Sequence, residues 1–111
     1  MDIHEERKDG FLVLGLEGQL DVISAKMFEE KVFAVIDGGE TVFVIDLSRL
    51  DYVNSAGLRV FLAASKRLTP AGGKIVLCCL QEPVKEVFDI VGFYQVFSIF
   101  NSKDEALKSL G

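Results

Sequence analysis

Two short runs, TVFVIDL (residues 41–47) and KIVLCCL (residues 74–80), constrain the fold more than any other part of the chain. Each is almost continuously apolar, and the first is rich in β-branched residues. A strand with one wet face alternates apolar with polar residues; these runs do not, so each calls for cover on both faces. The segment between them has a different period. In residues 55–68, Leu58, Phe61, Leu62, Ser65 and Leu68 recur at helical spacing, with Arg59, Lys66 and Arg67 away from them. Pro70 and Gly72-Gly73 end that helix. Buried strand, amphipathic helix, buried strand is the repeating unit of a parallel sheet.

The flanking sequence extends the pattern. Residues 3–8 read as an edge strand and residues 11–18 (FLVLGLEG) as a second, joined at Asp9-Gly10 in a hairpin. Residues 18–21 (GQLD) read as a loop. Ser24, or Asp21 at a slightly earlier start, caps a helix whose Ala25, Phe28, Val32, Val35 and Ile36 share a face. Asp37-Gly38-Gly39 stops it, and residues 48–54 (SRLDYVN) read as a second loop. Pro83 suits the first turn of a third helix, with Val84, Val87, Phe88 and Val91 inward and Gly92 as its stop. Residues 94–100 (YQVFSIF) read as a last strand, and Asn101 or Ser102 caps a short final helix. The order ββαβαβαβα predicts an α/β fold: a mostly parallel or mixed sheet of about five strands with about four helices and an N-terminal β-hairpin. With 111 residues and no linker or internal repeat, the chain is expected to form one domain over residues 1–111.

Several function classes lack their residues. A net charge of −5 supplies no basic face, so direct nucleic-acid binding is not expected. No apolar run approaches the roughly 20 residues of a membrane helix, and the polar start MDIHEERKDG is no signal peptide, so a cytoplasmic protein without a membrane partner is expected. No phosphate loop, dinucleotide fingerprint, HExxH or metal-spaced Cys/His cluster occurs, and no cofactor is expected. Cys78 and Cys79 are neighbours in a strand and should point to opposite faces. They are expected to be small buried hydrophobes, badly placed to share a disulfide or a metal. Ser55 lies in NSAG rather than GxSxG, and a catalytic triad would need His4, the single histidine, to reach it. Asp21, Asp46 and Asp51 offer carboxylates, but nothing marks a pocket around them. The chain is expected to be no enzyme.

In α/β sheets, sites gather where strands end and helices begin. Two such junctions carry polar residues, 18–24 and 46–57. In the second, Ser55 admits two readings. It is a capping serine, or it is a hydroxyl offered to another protein's active site. The first turn of a helix has unpaired N–H groups and a partial positive charge, so a phosphate there is tolerated without unfolding. Ala56 and Gly57 are small enough to let an active site approach.

These residues carry a resemblance. The chain resembles the STAS domain, specifically single-domain anti-sigma factor antagonists of bacterial partner switching. The likeness spans essentially the whole sequence: Gly18-Gln19-Leu20-Asp21 before the first helix, Val44-Ile45-Asp46-Leu47 in the central strand, Tyr52-Val53-Asn54-Ser55-Ala56-Gly57-Leu58 as the signature, and Val87-Phe88-Asp89-Ile90-Val91-Gly92-Phe93 later. The resemblance implies a partner that is both anti-sigma factor and serine kinase, captured by the unmodified chain and released when it phosphorylates Ser55, with a phosphoserine phosphatase reversing the change. It places Asp21 on the kinase-facing surface, has Gly57 keep the helix start open, and puts Arg59 and Val60 among exposed docking positions, beside Asn54 and Ala56. Asp46 is either part of that site or a strand-end acid bonding nearby amides. Two positions depart from the signature: Asn54 replaces its acid and Ala56 its second hydroxyl, which leaves Ser55 the sole acceptor. The alternative is a STAS interaction or sensor module serving as a subunit of a lipid-transport or sensory assembly. Phe93, Tyr94, Phe33 and Met27 offer surface for a weak homodimer if exposed.

Overall fold

The computed structural model describes residues 1–111. β1 (Asp2–Lys8) and β2 (Phe11–Leu20) form an antiparallel hairpin. Its turn sits on Asp9 and Gly10, at φ 55° and 85°, the left-handed pair that a two-residue hairpin loop requires. α1 (Val22–Asp37), β3 (Val42–Val53), α2 (Ser55–Leu68), β4 (Lys74–Cys78), α3 (Glu82–Ile90), β5 (Ser98–Phe100) and α4 (Lys103–Leu110) follow. The sheet has order β1-β2-β3-β4-β5, and every pair after the hairpin is parallel.

That order decides where the helices lie. The parallel strands are laid down side by side without reversal, and right-handed crossovers then put every connecting helix on one face. Leu12, Leu14, Leu16, Phe43, Ile45, Leu47, Ile75 and Leu77 pack there with Phe28 and Val32 of α1, Phe61 and Ala64 of α2, and Val84 and Phe88 of α3. The other face carries Val13, Val44, Val76 and Cys78, and α4 covers them with Ala106 and Leu107. Burial on both faces is what the apolar runs of β3 and β4 require.

Phe61 is the centre of the larger core. Its ring lies 5.1 Å from Phe28, 5.5 Å from Phe88, and 6.4 Å from both Phe93 and Phe97. One side chain thus ties α1, α2, α3 and the turn after α3 together.

The elements differ from the sequence reading in five places, the first being Val91, read as inward on the third helix but 46% exposed just past the end of α3. β2 continues through Gln19 and Leu20, and β3 through residues 48–53, both read as loops. Register shifts between Gly15 and Glu17 and between Gly18 and Gln19 keep the two paired, ending at Leu20 opposite Val53. The buried stripe of α2 is Gly57, Val60, Phe61, Ala64 and Leu68, while Leu58, Leu62 and Ser65 are only half-buried. The last strand is shorter than residues 94–100. Gly92, at φ 78°, turns the chain into a 3-10 turn over Phe93–Gln95 that drives Phe93 into the core. β4 ends at Cys78, because Cys79 takes a left-handed φ of 66°. Of the four residues considered for self-association, Phe93 is buried and Phe33 half-buried under the Arg67 guanidinium, while Met27 and Tyr94 are exposed.

Candidate functional site

The parallel register of β2 and β3 brings the two polar junctions together. Leu20 pairs with Val53, and the Asn54 N–H donates to the Leu20 carbonyl at 3.1 Å. Both strands therefore end at one level, and α1 and α2 start side by side.

Asp21 is the N-cap of α1. Its Oδ1 accepts from the N–H groups of Ile23 (3.1 Å) and Ser24 (3.0 Å), while the Ser24 hydroxyl accepts from the Asp21 N–H at 2.9 Å. Both residues proposed as the cap thus take part in one capping box. The Ser24 N–H, followed by its hydroxyl, holds the Asp21 carboxyl below the usual range. Asp21 brings a negative charge to the rim of the junction.

Asn54 caps α2 in the same way, its Oδ1 accepting from the N–H groups of Ala56 (3.1 Å) and Gly57 (3.4 Å). An amide oxygen caps as well as a carboxylate, so the departure from the signature acid leaves the helix start intact. Ser55 is consequently the first residue of the helix, not its cap, and its side chain is exposed. No acidic residue occupies the first turn of α2, so the partial positive charge of the helix start is unopposed within the helix.

The other positions divide between surface and support. Arg59 is exposed and Ala56 half-buried beside Ser55. Val60 is only 4% exposed and belongs to the core, which corrects its placement on an exposed docking face. It falls three residues after Gly57 and one before Phe61, on the buried stripe. Gly57 is buried as well and does not keep the helix start open. A Cβ there would stand 2.5 and 2.7 Å from the Leu20 side chain and 3.1 Å from Val53. Its missing side chain lets α2 settle onto the paired strand ends. Since Leu20 is fully buried, Gly57→Ala should lower stability by about 1–3 kcal/mol despite the better helix propensity of alanine. A urea melt whose midpoint rises would contradict this packing.

Asp46 lies elsewhere. In β3 it shares the side of Val44, which faces α4, whereas α2 covers the opposite face. Its Oδ1 accepts from the Ser48 N–H at 2.9 Å. It bonds a nearby amide, as the second reading of this residue had it, and lies across the sheet from α2.

The structure adds apolar surface that the sequence reading missed. Val22 is 70% exposed, Ile23 86% and Tyr52 47%. Val22 and Ile23 open α1 directly after its cap, and Tyr52 precedes Val53 on β3, so all three flank the junction. Their signal lay in Val22 and Ile23 falling outside the apolar stripe of α1.

His4 is exposed on β1, and its Nε2 lies 2.7 Å from Glu17 Oε1. That bond, ahead of the charge of Arg49, holds the Glu17 carboxyl below its usual range. His4 is thus engaged on the hairpin and not at Ser55. Two clusters have metal-ligating groups close together: the exposed Asp2 and His4 with the half-buried Glu17, and Asp46 with Cys78 and Cys79. The second corrects the expectation that the cysteines diverge. The left-handed Cys79 breaks strand alternation and brings both sulfurs to one place. Burial pushes both thiols up, so neither is a ready nucleophile.

Comparison with known proteins follows the same lines. The STAS domain family matches residues 2–106. BtrV of Bordetella bronchiseptica, named as a candidate anti-sigma factor antagonist, is 42% identical over 96% of this chain and 91% of its own length. A Thermotoga maritima structure described in the same terms superposes with a TM-score of 0.91 at 21% identity, over 96% of this chain and 92% of that one. The anti-sigma factor antagonist SpoIIAA superposes in its unphosphorylated form with a TM-score of 0.83 at 22% identity, over 98% and 96% of the two chains. A phosphorylated Bacillus SpoIIAA gives 0.76 at 20% identity, over 99% and 100%.

Proposed function

The chain belongs to the STAS domain family, and from that we propose that it is an anti-sigma factor antagonist switched by phosphorylation of Ser55. Unmodified, it binds an anti-sigma factor that is also a serine kinase and so frees the sigma factor in the cytoplasm. Phosphorylation by that kinase ends the complex, and a phosphoserine phosphatase restores it. The chain is a substrate in this cycle, not a catalyst.

The observation that carries the reading is the exposed Ser55 at the first position of α2, with Asn54 taking over the cap. The hydroxyl is not committed to holding the helix, so modifying it removes no capping bond. A relative 42% identical over 96% of this chain bears the antagonist name, and SpoIIAA, which has this fold, has been solved with and without phosphate. Asp21, Asn54 and Arg59 form the polar part of the docking face, and Ala56, Val22, Ile23 and Tyr52 its apolar part. Gly57 and Val60 support that face from beneath.

The test is phosphate transfer. With the cognate kinase and ATP, the wild-type chain should take up one phosphate, located on Ser55 by mass spectrometry. Ser55→Ala should take up none while still binding the kinase. Labelling of Ser55→Ala at the wild-type rate would overturn the assignment.

A further inference from the structure

We propose that Cys78, Cys79 and Asp46 form a binding site for one thiophilic divalent cation, of which Zn2+ is the physiological candidate. The two sulfurs and a carboxylate oxygen of Asp46 all lie within 4.8 Å of one another. Around a tetrahedral zinc, with Zn–S near 2.3 Å and Zn–O near 2.1 Å, ligand atoms stand roughly 3.3–3.8 Å apart. Small side-chain rotations therefore close the site.

Adjacent residues of a regular strand cannot share a ligand, because their side chains leave on opposite faces. Here the strand stops between them. Cys79 adopts φ 66°, an uncommon conformation for a residue other than glycine, while its N–H stays bonded to the Phe100 carbonyl at 3.0 Å. The backbone is pinned to β5 and the side chain swings to join Cys78. The two sulfurs and the Asp46 carboxylate thus face one another at the end of β4.

A divalent cation displaces the two thiol protons, which leave to solvent as two Zn–S bonds form. Two thiolates, a carboxylate and a dication sum to one negative charge. The Lys103 ammonium, paired with Glu6 at 2.5 Å, lines the same groove as Asp46 and brings a positive charge to that side. Cys78 is buried and Cys79 and Asp46 are half-buried, so the site is shielded without being closed. Asp46 also lines a groove with Glu6, Val13, Gly15 and Lys103, which brings solvent to the carboxylate side of the cluster. The site lies on the α4 side of the sheet, across from Ser55, and stands independently of the switch.

The reduced, metal-free full chain is titrated with Cd2+, which reports thiolate ligation by an ultraviolet charge-transfer band, and competed with Zn2+. The expected result is one ion per chain, a band that saturates at one equivalent, and a higher unfolding temperature with Zn2+. Cys79→Ser should reduce the band, and Asp46→Asn should keep it while weakening Zn2+ affinity by at least about tenfold. His4→Ala removes the Asp2–His4–Glu17 cluster on the hairpin and should change neither. Absence of the band in the wild-type chain, or binding that survives Cys79→Ser and disappears in His4→Ala, would overturn the proposal. The wild-type titration decides the matter even where circular dichroism shows that a cysteine variant has not folded.

Discussion

Replacing Phe61 by alanine is expected to lower the free energy of unfolding by about 3–5 kcal/mol, the range for emptying an aromatic site in a packed core. The ring is fully buried and meets four other phenylalanines, from α1, α3 and the turn that follows α3. None of these neighbours can fill the space without leaving its own. Phe28 and Phe88 are themselves fully buried, and Phe93 is held by the 3-10 turn after Gly92. Edge-on ring contacts add to the loss. Because most domains have only about 5–15 kcal/mol of net stability, the variant should be partly unfolded at moderate temperature. Urea denaturation of both proteins checks this, and a loss below about 1.5 kcal/mol, the cost of a tolerated volume-conserving swap, would mean that the ring cluster is not the keystone described above.

The second large effect concerns binding and leaves folding alone. Ser55→Asp should weaken affinity for the anti-sigma factor by about a hundredfold, or 2.7 kcal/mol. The carboxylate sits at the opening of α2, where the helix tolerates it. Docking, however, would take that charge out of water beside the apolar Val22, Ile23 and Tyr52, and beside Asp21, whose carboxyl is held ionised by the Ser24 N–H and hydroxyl. Desolvation and like charge both act against the complex and not against the fold. The unfolding free energy should therefore stay within about 0.5 kcal/mol of wild type, as for an exposed substitution.

The sequence made the helix ends legible because they are set by local chemistry. Asn54 and Ser55 mark the start of α2, Pro83 the start of α3, and Gly92 its end, each through a backbone preference that neighbours do not override. Strand ends were less legible. Residues 48–53 lack a period of two because the β2–β3 register shifts, so Leu47, Leu50 and Val53 are buried at intervals of three. The face of α2 was misjudged for a related reason. Helical spacing placed Leu58 and Leu62 on the buried face, but Gly57 and Ala64 are the residues that let the helix approach its neighbours.

The site was legible one junction at a time. Ser55 stood out because small residues follow it, and Asp21 because it precedes a helix. That the two lie together follows from Leu20 pairing with Val53, a long-range register that no local window contains. The exposed Val22, Ile23 and Tyr52, and the meeting of Cys78 with Cys79, likewise depend on neighbours distant in sequence or on a single backbone angle.

The most direct measurement compares the affinity of the unmodified chain and of the chain phosphorylated on Ser55 for the anti-sigma factor, alongside the thermal unfolding of both forms. A hundredfold or greater loss of binding, about 2.7 kcal/mol or more, with superimposable unfolding curves is the predicted result. Equal affinities, or a phosphorylated chain that has lost its fold, would contradict a switch that works by placing charge on an intact surface.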